Sequence, residues 1–267
     1  MSPTPSRRVR NYNIELPKFR RLGEPENYRF TAARIAQKEE PTFSTPVHFR
    51  LRTRYISAFG AKLTSEHPHV LLLRIPSSAT ARFISHCCGL LPRFVQSWVK
   101  ALFPEWFLPD HVVLKSQKRG EEEMIMRELF DTELKAYDRL KPLQGVVIPR
   151  CYGSLHYNGA RALILEHVGG VSPSTPEGST LKLEALSDLL QVCYRALHSF
   201  GVHHDDPQLG NFQFLDGRIM VLDLERVMFD LSLDDNAFYM KTSIEELAIR
   251  YRDRQAYFRR NGFLEAA

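Results

Sequence analysis

Gly201-Val202-His203-His204-Asp205-Asp206-Pro207-Gln208-Leu209-Gly210-Asn211-Phe212 sets Asp206 five residues before Asn211, and a further carboxylate, Asp223, follows twelve residues later. The segment between Asn211 and Asp223 reads as a β-hairpin. Asp216-Gly217 is a two-residue turn signal between the apolar runs Phe212-Gln213-Phe214-Leu215 and Ile219-Met220-Val221-Leu222. Folding about that turn pairs Leu215 with Arg218 and, counting outward, sets Asn211 opposite Leu222, next to Asp223. The hairpin therefore carries Asn211 and Asp223 to one open end, where Asp206 arrives on the preceding loop. Two carboxylates and an amide oxygen are the hard donors that Mg²⁺ takes, usually together with substrate phosphates. Such a geometry suits phosphoryl transfer.

The ordered set His204-x-Asp206-x4-Asn211, a hairpin, then Asp223 resembles the catalytic loop and metal-binding Asp of the protein-kinase-like superfamily. Leu197-His198-x-x-Gly201-Val202 looks like the end of the helix that leads into that loop. The stretch 115–230 is similar to a kinase-like group associated with filamentous fungi. The resemblance covers less than half of the chain, with its motifs in the right order. It implies that Asp206 orients or deprotonates an acceptor hydroxyl and that Asn211 and Asp223 hold Mg²⁺ ions. It also implies ATP as the phosphoryl donor.

A triphosphate needs a cation, and a flexible Lys needs something to hold it. His111-Val112-Val113-Leu114-Lys115 is a β-branched run ending in Lys, the pattern of a strand that delivers an ammonium group. A helix is expected from Glu121 to Leu140, with Ile125, Leu129, Ala136 and Leu140 on one apolar stripe and Glu133 within it. A carboxylate on an apolar stripe is costly unless a cation meets it. Lys115 is the obvious partner, and Glu128 competes with Glu133 for the role. The resemblance implies that Lys115 reaches the α- and β-phosphates while the helix Glu steadies it. Arg161 to Gly170 reads as a buried strand running into a Gly pair. By resemblance this segment joins two lobes, with Glu166 and Val168 as backbone contacts to the adenine. Leu143-Gln144-Gly145 and the stretch from Ile148 to Gly153 take structural roles.

Departures from the protein-kinase pattern narrow the expectation. No Gly-x-Gly-x-x-Gly precedes Lys115, and the fifty residues before it contain only Gly89. The usual backbone cradle for phosphates is therefore missing or replaced. Asp205 stands where the usual triplet has Arg, and Glu225 stands where protein kinases have Gly, a change also found in small-molecule kinases. Pro207 and Gly210 echo the loop of atypical kinases linked to quinone biosynthesis, but the Lys-x-Gly-Gln signature of those kinases is absent. Only 37 residues follow Asp230, with no Ala-Pro-Glu, which argues for a small hydroxylated acceptor over a peptide. The rival expectation is a pseudokinase, a binding module that keeps the fold and transfers nothing.

Composition bounds the rest. The 267 residues are 43% hydrophobic, enough for a real core. Residues 1–60 hold 12 Lys+Arg against 5 Asp+Glu, and residues 61–267 hold 24 against 26, so the overall +5 divides into +7 and −2. Arg7, Arg8, Arg10, Lys18, Arg20 and Arg21 lie among prolines, which predicts a solvated basic arm over 1–45, with an acidic partner, anionic lipid or nucleic acid as its alternative contacts. Nothing in the arm interleaves bases and aromatics as nucleic-acid binding needs. No run approaches the roughly 18 apolar residues of a membrane span, and no apolar leader follows Met1. Cys87, Cys88, Cys151 and Cys193 lack metal-ligand spacing, and reduced thiols point to an intracellular, cytoplasmic or nuclear, protein.

The predicted architecture is α+β, a two-lobed protein-kinase-like fold with a degenerate N-lobe over 46–168 and a shortened helical C-lobe over 169–267. Strands are expected at 47–57, 69–75, 111–115, 151–157 and 161–167. Helices are expected across 79–103, with a break near Pro92 and an apolar stripe of Phe94, Val95, Trp98, Val99 and Leu102, and at 181–200 and 242–260. His204 is expected in the core, bracing the loop, with His203 pointing away from it.

Overall fold

The computed structural model describes residues 41–63, 67–120 and 122–264. The basic arm, apart from 41–45, lies outside the described residues. The first two strands, β1 (Thr45–Leu51) and β2 (Arg54–Lys62), owe their pairing to strict alternation. Val47, Phe49 and Leu51 of β1 and Ile56 and Ala58 of β2 point inward, and their neighbours point out. The single strand expected at 47–57 is thus a hairpin. Its turn, Arg52-Thr53, carries none of the usual Asn-Gly or Asp-Gly chemistry, and Arg52 takes a left-handed φ of 50°. Contacts from distant sequence hold it. The Thr53 hydroxyl donates to the Glu105 carboxylate at 2.7 Å, and the Arg52 guanidinium donates to the Leu102 carbonyl at 2.9 Å.

After β3 (Val70–Arg74) come two helices, α1 (Ala79–Gly89) and α2 (Arg93–Leu102), broken at Pro92 as expected. Strand β4 (His111–Ser116), helix α3 (Glu123–Arg139), and strands β5 (Cys151–Tyr157) and β6 (Ala160–Glu166) complete a six-stranded antiparallel sheet of order β1-β2-β3-β4-β6-β5. The sheet curls until its edges β1 and β5 meet, where a β-bulge at Cys151/Gly153 brings Gly153 against Leu51. Val47, Phe49, Leu51, Ile56, Leu73, Val112, Leu114 and Ile164 fill the inside of the curl.

Alternation along β4 and β6 assigns their other faces. Val113, Lys115, Leu163 and Leu165 turn the opposite way from Val112, Leu114 and Ile164. On that side α3 offers Phe130, Glu133, Ala136 and Tyr137. Ile125, expected on this stripe, is instead 44% exposed, because the buried face begins at Phe130.

The chain continues through α4 (Leu183–His198), β7 (Val202–His204), the hairpin β8 (Phe212–Leu215) and β9 (Arg218–Val221), β10 (Val227–Phe229) and α5 (Leu233–Arg260). Helix α4 buries Leu186, Leu190, Cys193, Tyr194 and Leu197 at helical spacing, and these pack with Phe212, Val221 and Leu224 and with Leu247 and Tyr251 of α5. Leu163, Leu165, Tyr137 and Leu140 belong to the same apolar cluster, so it runs without a break across position 168. Gly201 ends α4 in the left-handed region at φ 65°, its N–H on the His198 carbonyl at 2.8 Å, and turns the chain into β7. Helix α5 begins nine residues before the expected 242. Ser232 caps it, accepting from the Asp235 N–H at 3.1 Å, with Asp234 and Asp235 in the first turn. No helix among the described residues is long and apolar enough to cross a membrane.

Candidate phosphoryl-transfer site

The hairpin has the register read from its turn. Leu215 pairs with Arg218 and Phe212 with Val221, and the Leu222 N–H donates to the Asn211 carbonyl at 2.9 Å. Gly170 makes room for it at its rear. At φ 77° a Cβ there would lie 2.3 Å from the Phe214 carbonyl oxygen, where the Val171–Phe214 bridge ties the incoming chain to β8. The Val221 N–H reaches the Val147 carbonyl at 2.9 Å. The Gln144 amide crosslinks that loop, donating to the Tyr137 carbonyl at 2.9 Å and accepting from the Cys151 N–H at 3.0 Å.

Ahead of the hairpin, Asp206 and Asn211 close on each other. The Asn211 amide nitrogen donates to the Asp206 carboxylate at 3.0 Å and to its backbone carbonyl at 3.2 Å. That leaves the Asn211 Oδ1 for another partner. His204, fully buried, donates from Nε2 to the Asp223 carbonyl at 2.7 Å, and burial holds its pKa down in the neutral form. One imidazole thus couples the loop to Asp223 across the hairpin's open end. His203 points the other way, into a stack with Tyr194, His198 and Tyr239, and burial lowers it to about 4.

The third group gathers around Lys115. Its ammonium lies 2.8 Å from Glu133, 3.0 Å from Asp223 and 3.1 Å from Glu225, and Lys118 meets the far oxygen of Glu225 at 2.5 Å. Burial works against the Lys115 charge, but Glu133, Asp223 and Glu225 together raise its pKa, so it stays protonated. Glu128 stays exposed on the far side of α3, and Glu133 is the residue that meets Lys115. Glu133 is fully buried, and burial pushes its carboxyl up to about 7 against the pull of Lys115. Asp223 goes the other way. Burial would raise it, but Lys115, Lys118 and the Glu225 N–H at 2.9 Å bring it below the usual carboxylate range.

At the far end of α3, Arg139 fixes the helix against the α4–β7 turn. Its guanidinium holds Asp230 in a fork and the Phe200 carbonyl at 2.5 Å. The position of Glu133 along the sheet is thereby tied to the loop that carries Asp206.

Carboxylate oxygens of Glu133, Asp223 and Glu225 lie within 4.8 Å of one another, and Glu133 Oε2 is buried without a hydrogen-bond partner. With two ammonium groups against three carboxylates, the cluster is one negative charge in excess when all five are ionised. Hard oxygens, a charge deficit and an unsatisfied carboxylate oxygen fit a divalent cation of the magnesium class. Among the described residues, no hydrogen bond joins the Asn211 and Asp223 side chains. The structure brings Lys115, Glu133 and Asp223 together as one group, and Asp206 and Asn211 as another.

Glu225 was missed as a site residue. Its signal was the alternation Asp223-Leu224-Glu225, in which fully buried Leu224 turns the two carboxylates to one side. At the end of β6, the Glu166 N–H is committed to the Arg150 carbonyl at 2.8 Å and its carboxylate accepts from the Arg150 N–H at 3.0 Å. Val168, half-buried, lies in the segment that leaves the sheet.

No protein-family model and no curated protein matches the chain. Among solved structures it is similar to WbdD, at 18% identity and a TM-score of 0.39 over 51% of this chain. The chain spans 33% of the length of WbdD. It is also similar to a divergent kinase lacking the glycine-rich loop that regulates membrane ultrastructure of the Toxoplasma parasitophorous vacuole, at 15% identity and a TM-score of 0.44. That match covers 71% of this chain and 67% of the other.

Proposed function

We propose that the chain is an ATP- and Mg²⁺-dependent phosphotransferase of two-lobed, protein-kinase-like architecture, with an N-lobe over 46–168 and a helical C-lobe over 169–267. The acceptor is the hydroxyl of a small molecule. One observation carries the reading: Lys115 from the sheet sits between Glu133 of α3 and Asp223 beyond the hairpin, and His204 couples Asp223 to the Asp206–Asn211 loop.

In this reading Lys115 holds donor phosphates and Glu133 keeps its ammonium extended. Asp223, through the oxygen that Lys115 does not engage and with the Glu225 carboxylate beside it, and Asn211, through Oδ1, would hold the metal, which would supply neutralisation of phosphate charge. Asp206 receives the acceptor hydroxyl and takes its proton. Adenine contacts fall to the Glu166 carbonyl and the Val168 backbone. Catalysis here is placement and charge compensation, and a few fixed side chains suffice for both.

Glu225 favours a second reading. Its carboxylate bridges Lys115 and Lys118, the two cations that a triphosphate would need, and the 63–69 connection between β2 and β3 contains no glycine to cradle phosphates. A pseudokinase with that bridge closed is the alternative. Two variants separate them. On the enzyme reading, Asp206→Asn keeps Mg-ATP binding and loses phosphate transfer to hydroxyl-acceptor pools, and Glu225→Gln weakens the Mg²⁺ dependence of binding. On the alternative, the wild type transfers nothing and Glu225→Gln tightens ATP binding by freeing both lysines.

A further inference from the structure

Where β2 begins, β3 ends and β4 begins, the sheet and the α1–α2 pair line a pocket of ≈ 500 Å³. Arg54 opens β2 and Asp110 precedes β4, and the Ile75 N–H on the Asp110 carbonyl at 2.7 Å closes that end of the sheet. Arg82 of α1 and Lys100 of α2 line the pocket from the helices. Asp110 and Lys115 are five positions apart along β4, roughly 17 Å of extended chain, so the pocket is separate from the phosphoryl-transfer site.

The three cations of this pocket lack carboxylate partners. Among the described residues, none of Arg54, Arg82 and Lys100 makes an ion pair. Arg54 is only 9% exposed; it donates to the Glu105 backbone carbonyl at 2.8 Å and lies 5.3 Å from the centre of the Trp106 ring. The Lys100 ammonium lies 6.0 Å from the centre of the Phe107 ring. A ring face attracts a cation but carries no net charge, so it holds the cation without cancelling it. Burial pulls the Arg54 guanidinium below its usual pKa range, and Glu105, fully buried outside the lining, offsets part of that. Asp110 is the one acid in the lining, which leaves three positive charges there against one negative. An excess of two suits a phosphomonoester dianion, whose oxygens guanidinium forks take in pairs. The Ser77 and Ser85 hydroxyls add donors, and Ile75 and Leu108 add apolar wall. The volume falls within the ~300–1,000 Å³ of small-molecule sites.

We propose that this pocket binds a small organic phosphate monoester, its phosphate held by Arg54, Arg82 and Lys100 and its apolar body set against Ile75, Trp106 and Leu108. The test uses the full chain with Trp98→Phe, so that Trp106 is the remaining tryptophan, and reads Trp106 emission and melting temperature. Phenyl phosphate should move both saturably, with a midpoint about tenfold or more below that of inorganic phosphate, which lacks the apolar body. Phenol, which lacks the charge, and benzoate, which carries one, should also bind more weakly. Arg82→Gln/Lys100→Gln should weaken phenyl phosphate on the order of a hundredfold, from two lost charge-assisted contacts. Asp110→Asn, which removes the one lining acid, should tighten it. Silence of both readouts would overturn the proposal, as would phenol or benzoate matching phenyl phosphate. A midpoint that moves with Lys118→Gln and not with Arg82→Gln/Lys100→Gln would put the phosphate at the Lys115 cluster and overturn it too.

Discussion

The loop around Asp206 and the cluster around Lys115 bind their residues by different physics. In the loop, partners are close in sequence: Asn211 meets Asp206 five residues away, and backbone hydrogen bonds within 205–211 do the rest. In the cluster, Lys115 meets Glu133 at a separation of 18 residues and Asp223 at 108, and each contact is an ion pair to an ammonium that is itself buried. A local turn tolerates the loss of one hydrogen bond. A buried cluster does not tolerate the loss of its only shared cation, because three carboxylates are then left facing one another.

The largest expected effect follows from that contrast. Lys115→Met should cost about 3–5 kcal/mol of stability in urea unfolding, the cost of stranding buried charge, whereas Asn211→Ala should cost only about 1 kcal/mol. Adding Glu133→Gln to Lys115→Met should restore part of the loss, because it removes one stranded charge. For Mg-ATP binding, the double variant should lose little more than either single one. Fully additive losses in both measurements would mean that the two residues act apart.

A smaller effect, in pH, pits the cluster against the histidine stack behind the loop. The Glu133 carboxyl is raised from 4.5 to about 7 in the folded state. Its contribution is therefore complete below pH 4.5 and is lost as pH climbs through about 7. His203 is lowered from 6.5 to about 4, so its contribution is present above pH 6.5 and is lost as pH falls towards 4. The two oppose each other in the wild type. Melting temperature should fall with rising pH across this window in His203→Phe and rise with it in Glu133→Gln. Parallel profiles for both variants would contradict the assignment.

The smallest structural effect belongs to Asp206→Asn. It should shift stability by less than about 1 kcal/mol, since the amide still accepts from Asn211, while phosphate transfer disappears.

This difference also explains what could be read in the sequence. The hairpin followed from Asp216-Gly217 and the strand period, which are local, and its register came out residue for residue. The Lys115–Glu133 pair was legible because a carboxylate on an apolar stripe demands a cation. Glu225 had only the alternation with Asp223 to mark it, because its partners Lys115 and Lys118 are more than a hundred residues away in the chain. The β1–β2 turn escaped for the same reason. Its stability comes from Glu105 and Leu102 and not from Arg52-Thr53 itself. The stripe of Phe94, Val95, Trp98, Val99 and Leu102 gave the helix, but periodicity is silent on what covers an apolar face, and here Val95 and Val99 are half-buried while Phe94, Trp98 and Leu102 are exposed.

The central claim is that the cluster and the loop together make a nucleotide site. Thermal-shift titration of the wild type with ATP, with and without Mg²⁺, tests it most directly. A melting temperature that rises with ATP, rises further with Mg²⁺ and loses the metal-dependent part in Asp223→Asn is the predicted result, with about 2.7 kcal/mol of stabilisation at a hundredfold excess over Kd. A melting temperature unmoved by ATP in the presence of Mg²⁺ would contradict it.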